Sequence, residues 1–452
     1  MKKFIQRIKE IWSIDDLRTK IKNTLLFLLI YRVGTFIILP GIDGNVLMGA
    51  LQSQTEGILG LVNVFAGGAF GRGAILALGI MPYISASIVI QLLTIAVPSF
   101  QRLQKEGEDG RRKINQYTRY LTIAITAVQA VAYLNNITSK QDNWAALLFK
   151  TQPEQMSELF FMVTNVIMLV AGTMFTMWLG EKITDKGLGN GISLIIMVGI
   201  VDRLPEALGF ELDQKFAKGG LPLFIIEIVL WLGVIIATIL LIQGTRRVTV
   251  NYAKRIEGNK LSGGARNYIP LKVNAAGVMP IIFAQALMFL PPTLAQSMEN
   301  PSTLLTSLSD ISSFAYNFLF AVLIITFTYF YTAITVNPNQ MADDMKKSGG
   351  FIPGIKPGKS TSDYLDEVMS RITLPGALFL ALIAILPAFA MIFGVSQSFA
   401  QFYGGTSLLI MVGVVLDTLQ QIESHLLMRK YDGLMKSGRI SGRSGLNSQS
   451  IW

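Results

Sequence analysis

Residues able to do covalent or metal chemistry are almost missing from this chain. Among 452 residues there is one histidine, His425, and no cysteine. Disulfides, thiolate metal sites, cysteine nucleophiles and multi-histidine clusters are excluded together. A serine–histidine dyad would depend on His425, and no G-x-S-x-G elbow is present. No catalytic residue, metal site or cofactor is therefore assigned. What remains for chemistry is charge: 39 Lys and Arg against 29 Asp and Glu give a net +10. Charged residues nevertheless make up only 15% of the chain and hydrophobic ones 51%. A soluble domain carries about 25% charged residues, so this composition cannot cover a water-facing surface.

The cations gather in two segments. Residues 244–271 hold Arg246, Arg247, Lys254, Arg255 and Arg266, and residues 337–371 hold Lys346, Lys347, Lys356 and Lys359. In the second, Gly349, Gly350, Pro353, Gly354, Pro357 and Gly358 predict a folded turn structure. Long basic loops suit a phosphate backbone, an acidic protein surface or anionic lipid. Enforcing topology alone would explain their charge but not their length. Three ionisable residues, Arg32, Glu227 and Asp417, fall inside apolar runs. Such charges mark either function or structural pairing, and three scattered ones make a poor ion-coupling pathway.

These groups are carried by apolar runs, each near the roughly 20 residues a spanning helix needs. Ten are read, over 21–39, 74–97, 117–135, 158–179, 191–208, 222–243, 272–293, 313–336, 372–394 and 404–422. The fifth is the weakest, because Asp202, Arg203 and Pro205 intrude on its end. With this count, 32 of the 39 cations fall on one set of alternate loops and six on the other, with Arg32 inside the first run. The positive-inside rule then puts both termini in the cytoplasm. The chain is thus expected to be an all-α polytopic membrane protein.

Three features depart from a simple bundle. Residues 1–20 place Phe4, Ile5, Ile8, Ile11 and Trp12 at helical spacing among lysines, which suits either an amphipathic helix on the cytoplasmic leaflet or a solvated basic tail. No cleavage site follows Leu39, so this is not a removable signal. Gly57 to Gly73, GILGLVNVFAGGAFGRG, is too short and glycine-rich to span yet too apolar for water. It is either a re-entrant segment or an external loop resting on headgroups. Ten spans also divide into two sets of five, 21–208 and 222–422, joined by an external connection at 209–221. An odd number per set inverts the second relative to the first. A cytoplasmic tail, 423–452, follows.

Several strings together then become specific. YRVGTFIILPGID from Tyr31, ALGIMPYISASIVIQLL from Ala77, GLGNGISLII from Gly187, NYAKR from Asn251, PLKVNAAGVMP from Pro270, NP from Asn337, KKSGGFIPGIKPG from Lys346 and GGTSLLI from Gly404 resemble the SecY family of protein-translocase channels. The resemblance implies ten helices in two inverted five-helix halves around an hourglass pore, with a re-entrant plug over 57–73 and a gate opening sideways into lipid. The function it implies is passage of unfolded secretory polypeptides and lateral release of hydrophobic segments. Ile80, Ile84, Ile196, Ile282 and Ile410 are implied as the pore ring, which excludes water by dewetting and yields because it makes no directional bonds. Asn63, Phe65, Gly67, Gly68, Phe70 and Arg72 belong to the implied plug, whose small residues suit a part that packs without locking. Gln91, Gln129, Asn274 and Gln285 are implied at the lateral gate, where interhelical amide bonds of about 1 kcal/mol each would hold it shut.

Arg246, Arg247, Lys254, Arg255, Lys346, Lys347 and Lys356 are implied as docking residues for the ribosome and the SecA motor ATPase. The family usually has arginine where this chain has Lys356, and lysine keeps the charge without the two-pronged guanidinium. Further implied partners are the small membrane subunits SecE and SecG, secretory and membrane precursor polypeptides, and anionic lipid. The implied location is the bacterial cytoplasmic membrane. No nucleotide-binding P-loop is present, so energy would come from a partner. Two rivals remain: a secondary transporter of a small solute, disfavoured by sparse intramembrane charge, and an intramembrane hydrolase, for which His425 is badly placed.

Overall fold

The computed structural model describes residues 11–44, 46–47, 63, 65–139, 147, 157–217, 220–252, 254–257, 260–263, 266–288, 291 and 302–436. Residues 1–10, 48–62 and 437–452 lie outside, and with them the first half of the N-terminal amphipathic segment and the first part of 57–73.

Each of the ten apolar runs corresponds to a helix. In chain order these are α1 Asp15–Gly34, α3 Met81–Ala96, α5 Glu108–Ser139, α6 Glu158–Lys186, α7 Gly191–Ala217, α8 Leu221–Gln243, α9 Met279–Met288, α11 Phe314–Thr335, α13 Lys359–Ile392 and α15 Gly405–Lys436. Short helices lie between them: α2 Ala69–Arg72, α4 Pro98–Lys105, α10 Thr303–Ser309, α12 Pro338–Lys347 and α14 Gln397–Tyr403. Among the described residues, six helices are long and apolar enough to cross a membrane alone, and α3 with α4, bent by 97°, makes a seventh if the pair is counted as one broken span. The other three are α1, which carries charges at both ends, α7, and α9 with its 10 residues. Short or partly polar helices are tolerated at membrane depth when protein surrounds them.

Several ends differ from the apolar runs. The first helix stops at Gly34, where a Cβ would stand 2.7 Å from Leu76 Cδ1, and the Thr35 hydroxyl bonds back to the Arg32 carbonyl. Beyond it the chain is extended, with Ile75 N–H donating to the Ile37 carbonyl and Leu39 N–H to the Gly73 carbonyl, both at 2.8 Å. Backbone pairing thus replaces the helical bonds that lipid would otherwise demand. Accordingly α3 begins at Met81, not at 74, with Pro82 in its first turn, a position that tolerates a missing N–H. At the other extreme, α7 runs through Pro205 to Ala217, so the external connection expected over 209–221 is largely helical.

The two long basic loops contain strands that hydropathy did not reveal. β1 Thr245–Tyr252 pairs antiparallel with β4 Arg266–Lys272, from Thr245↔Lys272 to Asn251↔Arg266. On its other edge, β1 pairs with β5 Gly350–Phe351. β2 Lys254–Glu257 and β3 Lys260–Gly263 form a separate hairpin. Alternation buries Val248 and Val250 on one face of β1, against Leu271, Met345, Ile352, Leu365 and Met369. The two basic loops, far apart in sequence, therefore share one small hydrophobic core.

Three further cores lie in the helical region. One gathers Leu39, Leu134, Phe161 and Leu169 from the earlier helices, and another gathers Ile281, Phe320, Ile324 and Leu380 from the later ones. The third lies between them, drawing on α1, α3, α6, α7, α14 and α15. Gly172 lets α6 approach the backbone before α3, since a Cβ there would stand 2.2 Å from the Ile75 carbonyl oxygen. Gly172→Ala is expected to destabilise the protein by about 1–3 kcal/mol through overpacking, seen as a lower melting temperature in detergent.

Candidate functional site: an aliphatic constriction with a seated segment

The central core brings together residues scattered over more than three hundred positions. Ile80, Ile196 and Ile410 are buried in it, with Ile84 and Ile282 packed against them. They come from the start of α3, the early turns of α7, the first turn of α9 and the early turns of α15. Ile84, Ile196, Ile282 and Ile410 surround a cavity of about 20 Å³, room for roughly one water molecule. Phe65, Met81, Ser85, Gln285, Ala286 and Thr406 complete its wall. Aliphatic groups on four helices can exclude water and ions, yet they form no directional bond with one another.

Phe65, buried, belongs to a folded segment seated beside these isoleucines. Asn63 shapes it, accepting from Gly68 N–H through its carbonyl at 2.8 Å and from Gly71 N–H through Oδ1 at 2.9 Å. Gly67 and Gly68 have φ of +58° and +80°, in the left-handed region that favours glycine. Gly199 of α7 lies against them, and a Cβ there would be 2.8 Å from the Phe65 carbonyl oxygen. Phe70 packs on Tyr133 at 4.6 Å between centroids, and the Tyr133 hydroxyl donates to the Phe70 carbonyl at 2.6 Å. Arg72 lies over the Phe36 ring at 4.4 Å. Small residues therefore do allow close packing, but polar contacts also fasten the segment, which amends the expectation of packing without locking.

Of the four amides expected at a gate, Gln91, Gln129 and Gln285 sit on α3, α5 and α9, helices that pack in pairs, α3 on α5 and α9 on α11. Between the pairs, contact is sparse among the described residues. Gln91 and Gln129 are half-buried, whereas Asn274 and Gln285 are buried. No hydrogen bond joins any two of the four among the described residues; Gln91 bonds Ser87 on its own helix at 3.5 Å. The expected interhelical amide bonds are thus not formed. Asn274 precedes α9 in a turn, with both side-chain amide atoms unpartnered.

Of the basic residues, Arg246 and Arg247 are exposed on β1, Lys346 and Lys347 are exposed at the end of α12, and Lys356 is exposed in the turn before α13. Cations suit the last turn of a helix, where carbonyls lack partners. Lys254 and Arg255 lie on β2 and Arg266 begins β4, with side chains outside the described residues. Of the three intramembrane charges, Arg32 pairs with Asp202 at 2.5 Å and Glu227 with Lys215 at 2.7 Å, while Asp417 is exposed. Hydropathy treated Asp202 and Arg203 as intruders. Their partners are Arg32 and Glu206, and the signal that could have found the first pair was opposite charge at neighbouring span ends.

Helices crossing a membrane around an aliphatic constriction, with a folded segment seated on it, define a polytopic membrane channel in a closed arrangement. Comparison with known proteins narrows the class. The SecY family model matches residues 74–419. The protein translocase subunit SecY of Vibrio cholerae is 41% identical over 440 residues, covering 95% of this chain and 96% of that protein. Among solved structures, one described as the structure of a protein conducting channel superposes with a TM-score of 0.60 at 17% identity, covering 95% of both chains. Another, Sec61 in the canine ribosome-channel complex from the endoplasmic reticulum, gives 0.57 at 17% identity, again over 95% of both. The chain belongs to the SecY family. It is a multi-pass membrane protein and a protein-conducting channel, which sets the solute-transporter alternative aside.

Asn274 carries a testable consequence of its geometry. A buried amide without partners costs stability, and an apolar side chain of similar size removes that cost. Asn274→Leu is expected to raise the melting temperature of the closed protein, and a lower one would show that the amide is satisfied.

Proposed function

We propose that unfolded secretory polypeptides pass through the constriction of Ile80, Ile84, Ile196, Ile282 and Ile410, and that hydrophobic segments leave sideways between the α3–α5 and α9–α11 pairs. The observation that carries this reading is the convergence of Ile84, Ile196, Ile282 and Ile410, with Phe65 against them, on one small cavity, with Ile80 buried in the same core. Aliphatic side chains part around a moving chain and close behind it, because only dispersion and burial hold them together and both are recovered on closing. Residues 57–73 act as the plug, with Phe65 as its apolar foot. The sparse seam at Gln91, Gln129, Asn274 and Gln285 suits a gate held by few bonds, and a nascent span leaves when its transfer into lipid is favourable.

Both termini face the cytoplasm, by the 32 to six distribution of cations. The two halves, 21–208 and 222–422, then move about the connection near 209–221. Arg246, Arg247, Lys254, Arg255, Lys346, Lys347 and Lys356 dock the ribosome and the SecA motor, which supplies the energy. The family likeness and the ribosome named with the canine relative support this assignment. SecE and SecG bind in the membrane, and anionic lipid lies against the basic loops. The membrane is the bacterial cytoplasmic membrane, as for the family's bacterial relatives.

Ile84→Asn and Ile410→Asn are expected to raise resting ion conductance in planar bilayers; unaltered conductance would count against the ring. Reversal of charge at Arg246 and Arg247, or at Lys346 and Lys347, is expected to weaken ribosome and motor binding several-fold, more at low salt than at high. Full retained affinity would remove these residues from the docking surface.

A further inference from the structure

Arg32 stands in the last turn of α1, and its guanidinium serves two partners at once. Nη2 lies 2.5 Å from Asp202 Oδ1 on α7, while Nη1 donates to the Gly67 carbonyl of the seated segment at 3.1 Å. The planar fork makes this double engagement possible, holding a carboxylate with one arm and presenting the other in a fixed direction. Both side chains of the pair are about one-quarter exposed, 27% and 26%, so water competes weakly for them. A second attachment lies beside it. The Phe36 ring is 4.7 Å from the Arg32 guanidinium and 4.4 Å from that of Arg72, which belongs to the segment itself.

The two kinds of attachment go to different places. Phe65 faces Ile196 from the earlier helices and also Ile282 and Ile410 from the later ones. Arg32, Phe36 and Asp202 all belong to the earlier helices and the chain between them. If the later helices swing away, the segment parts from Ile282 and Ile410 while its polar attachments stay. Aliphatic contact weakens gradually with separation, whereas a charge-assisted hydrogen bond is short-ranged and directional. Release of the segment therefore has a threshold that gate widening alone does not cross.

We propose that Arg32, oriented by Asp202, is a latch that holds the plug to the wall of the first five helices. Its strength sets how effective a signal segment must be before the channel opens. Arg32 and Asp202 are thus positioning residues for selectivity. The inference rests on the reading of residues 57–73 as the plug.

The test uses the full chain, reconstituted with its small subunits and motor, measured for resting ion conductance and for export of a precursor with a weakened signal. Arg32→Gln is expected to raise both about tenfold, the factor associated with one charge-assisted hydrogen bond. Asp202→Asn should do the same by leaving the guanidinium unoriented. The exchanged pair, Arg32→Asp with Asp202→Arg, should recover the melting temperature but not the low conductance, because no donor then faces the Gly67 carbonyl from α1. Wild-type conductance and stringency in Arg32→Gln would overturn the latch. So would an exchanged pair that restores both, which would make the interaction merely structural. If Arg32→Gln does not accumulate, Arg32→Lys decides: it keeps the charge but loses the fork, so an intermediate leak is expected and a wild-type leak overturns the idea. Deletion of residues 63–72 separates the two readings. A deletion without added leak overturns the plug reading itself, and added leak there with none in Arg32→Gln overturns the latch alone.

Discussion

A membrane that must pass unfolded chains cannot be sealed by bonds specific to any one chain, and this constraint shapes the protein. Polar closure would bind particular side chains in transit, and charges at the closure would be costly to desolvate. The central core answers with aliphatic groups drawn from α3, α7, α9 and α15 and no charged side chain around its small cavity. Three of those four are not among the helices apolar and long enough to span alone. Helices next to a water-accessible passage face less lipid, so their sequences need not be apolar all round, and two of them can be short.

Charged side chains are absent from the lining of that cavity and pair elsewhere in the helices. The Arg32–Asp202 pair joins α1 to α7. Lys215 reaches Glu227 at 2.7 Å, Glu211 at 3.5 Å and the Gly394 carbonyl at 3.0 Å, knitting α7 to α8 and to the turn before α14. Glu211 also accepts from Ser396 N–H at 2.9 Å. Removing one member of such a buried set leaves an uncompensated charge and is far more costly than the set is worth in total. Its geometric effect is the useful one: it fixes α7 against α8 and the turn before α14, whereas no hydrogen bond joins Gln91, Gln129, Asn274 and Gln285 to one another among the described residues.

Lipid imposes one rule along the whole chain, and the consequences of that rule are legible in the sequence. The ten apolar runs and the bias of cations to alternate loops both arise from it, and each run does contain a helix. Helix ends are less legible, because tertiary backbone pairing decides them: the Ile37–Ile75 and Leu39–Gly73 bonds, between segments far apart in the chain, stop α1 early and start α3 late. The five isoleucines carry no mark in composition or spacing that separates them from packing residues, and only resemblance to a family singled them out. The strands of the long basic loops escaped for a related reason. β5 is two residues long and exists only because β1 lies beside it.

That pairing changes what the two basic segments are. As separate loops, each would keep its own conformational freedom. Joined through β1 and β5 over the core of Val250, Met345 and Leu365, they form one ordered unit. The same core is continuous with the membrane domain through α13, whose 34 residues run about 50 Å at the helical rise. Leu365 and Met369 of that helix lie in the core beneath the sheet, and Leu380, Ile383 and Ala384 lie in the core of the later helices that also holds Ile281 beside Ile282. The sheet is therefore coupled to the later helices through one continuous helix, whose ladder is interrupted between the two cores by Pro375, the place where it can bend.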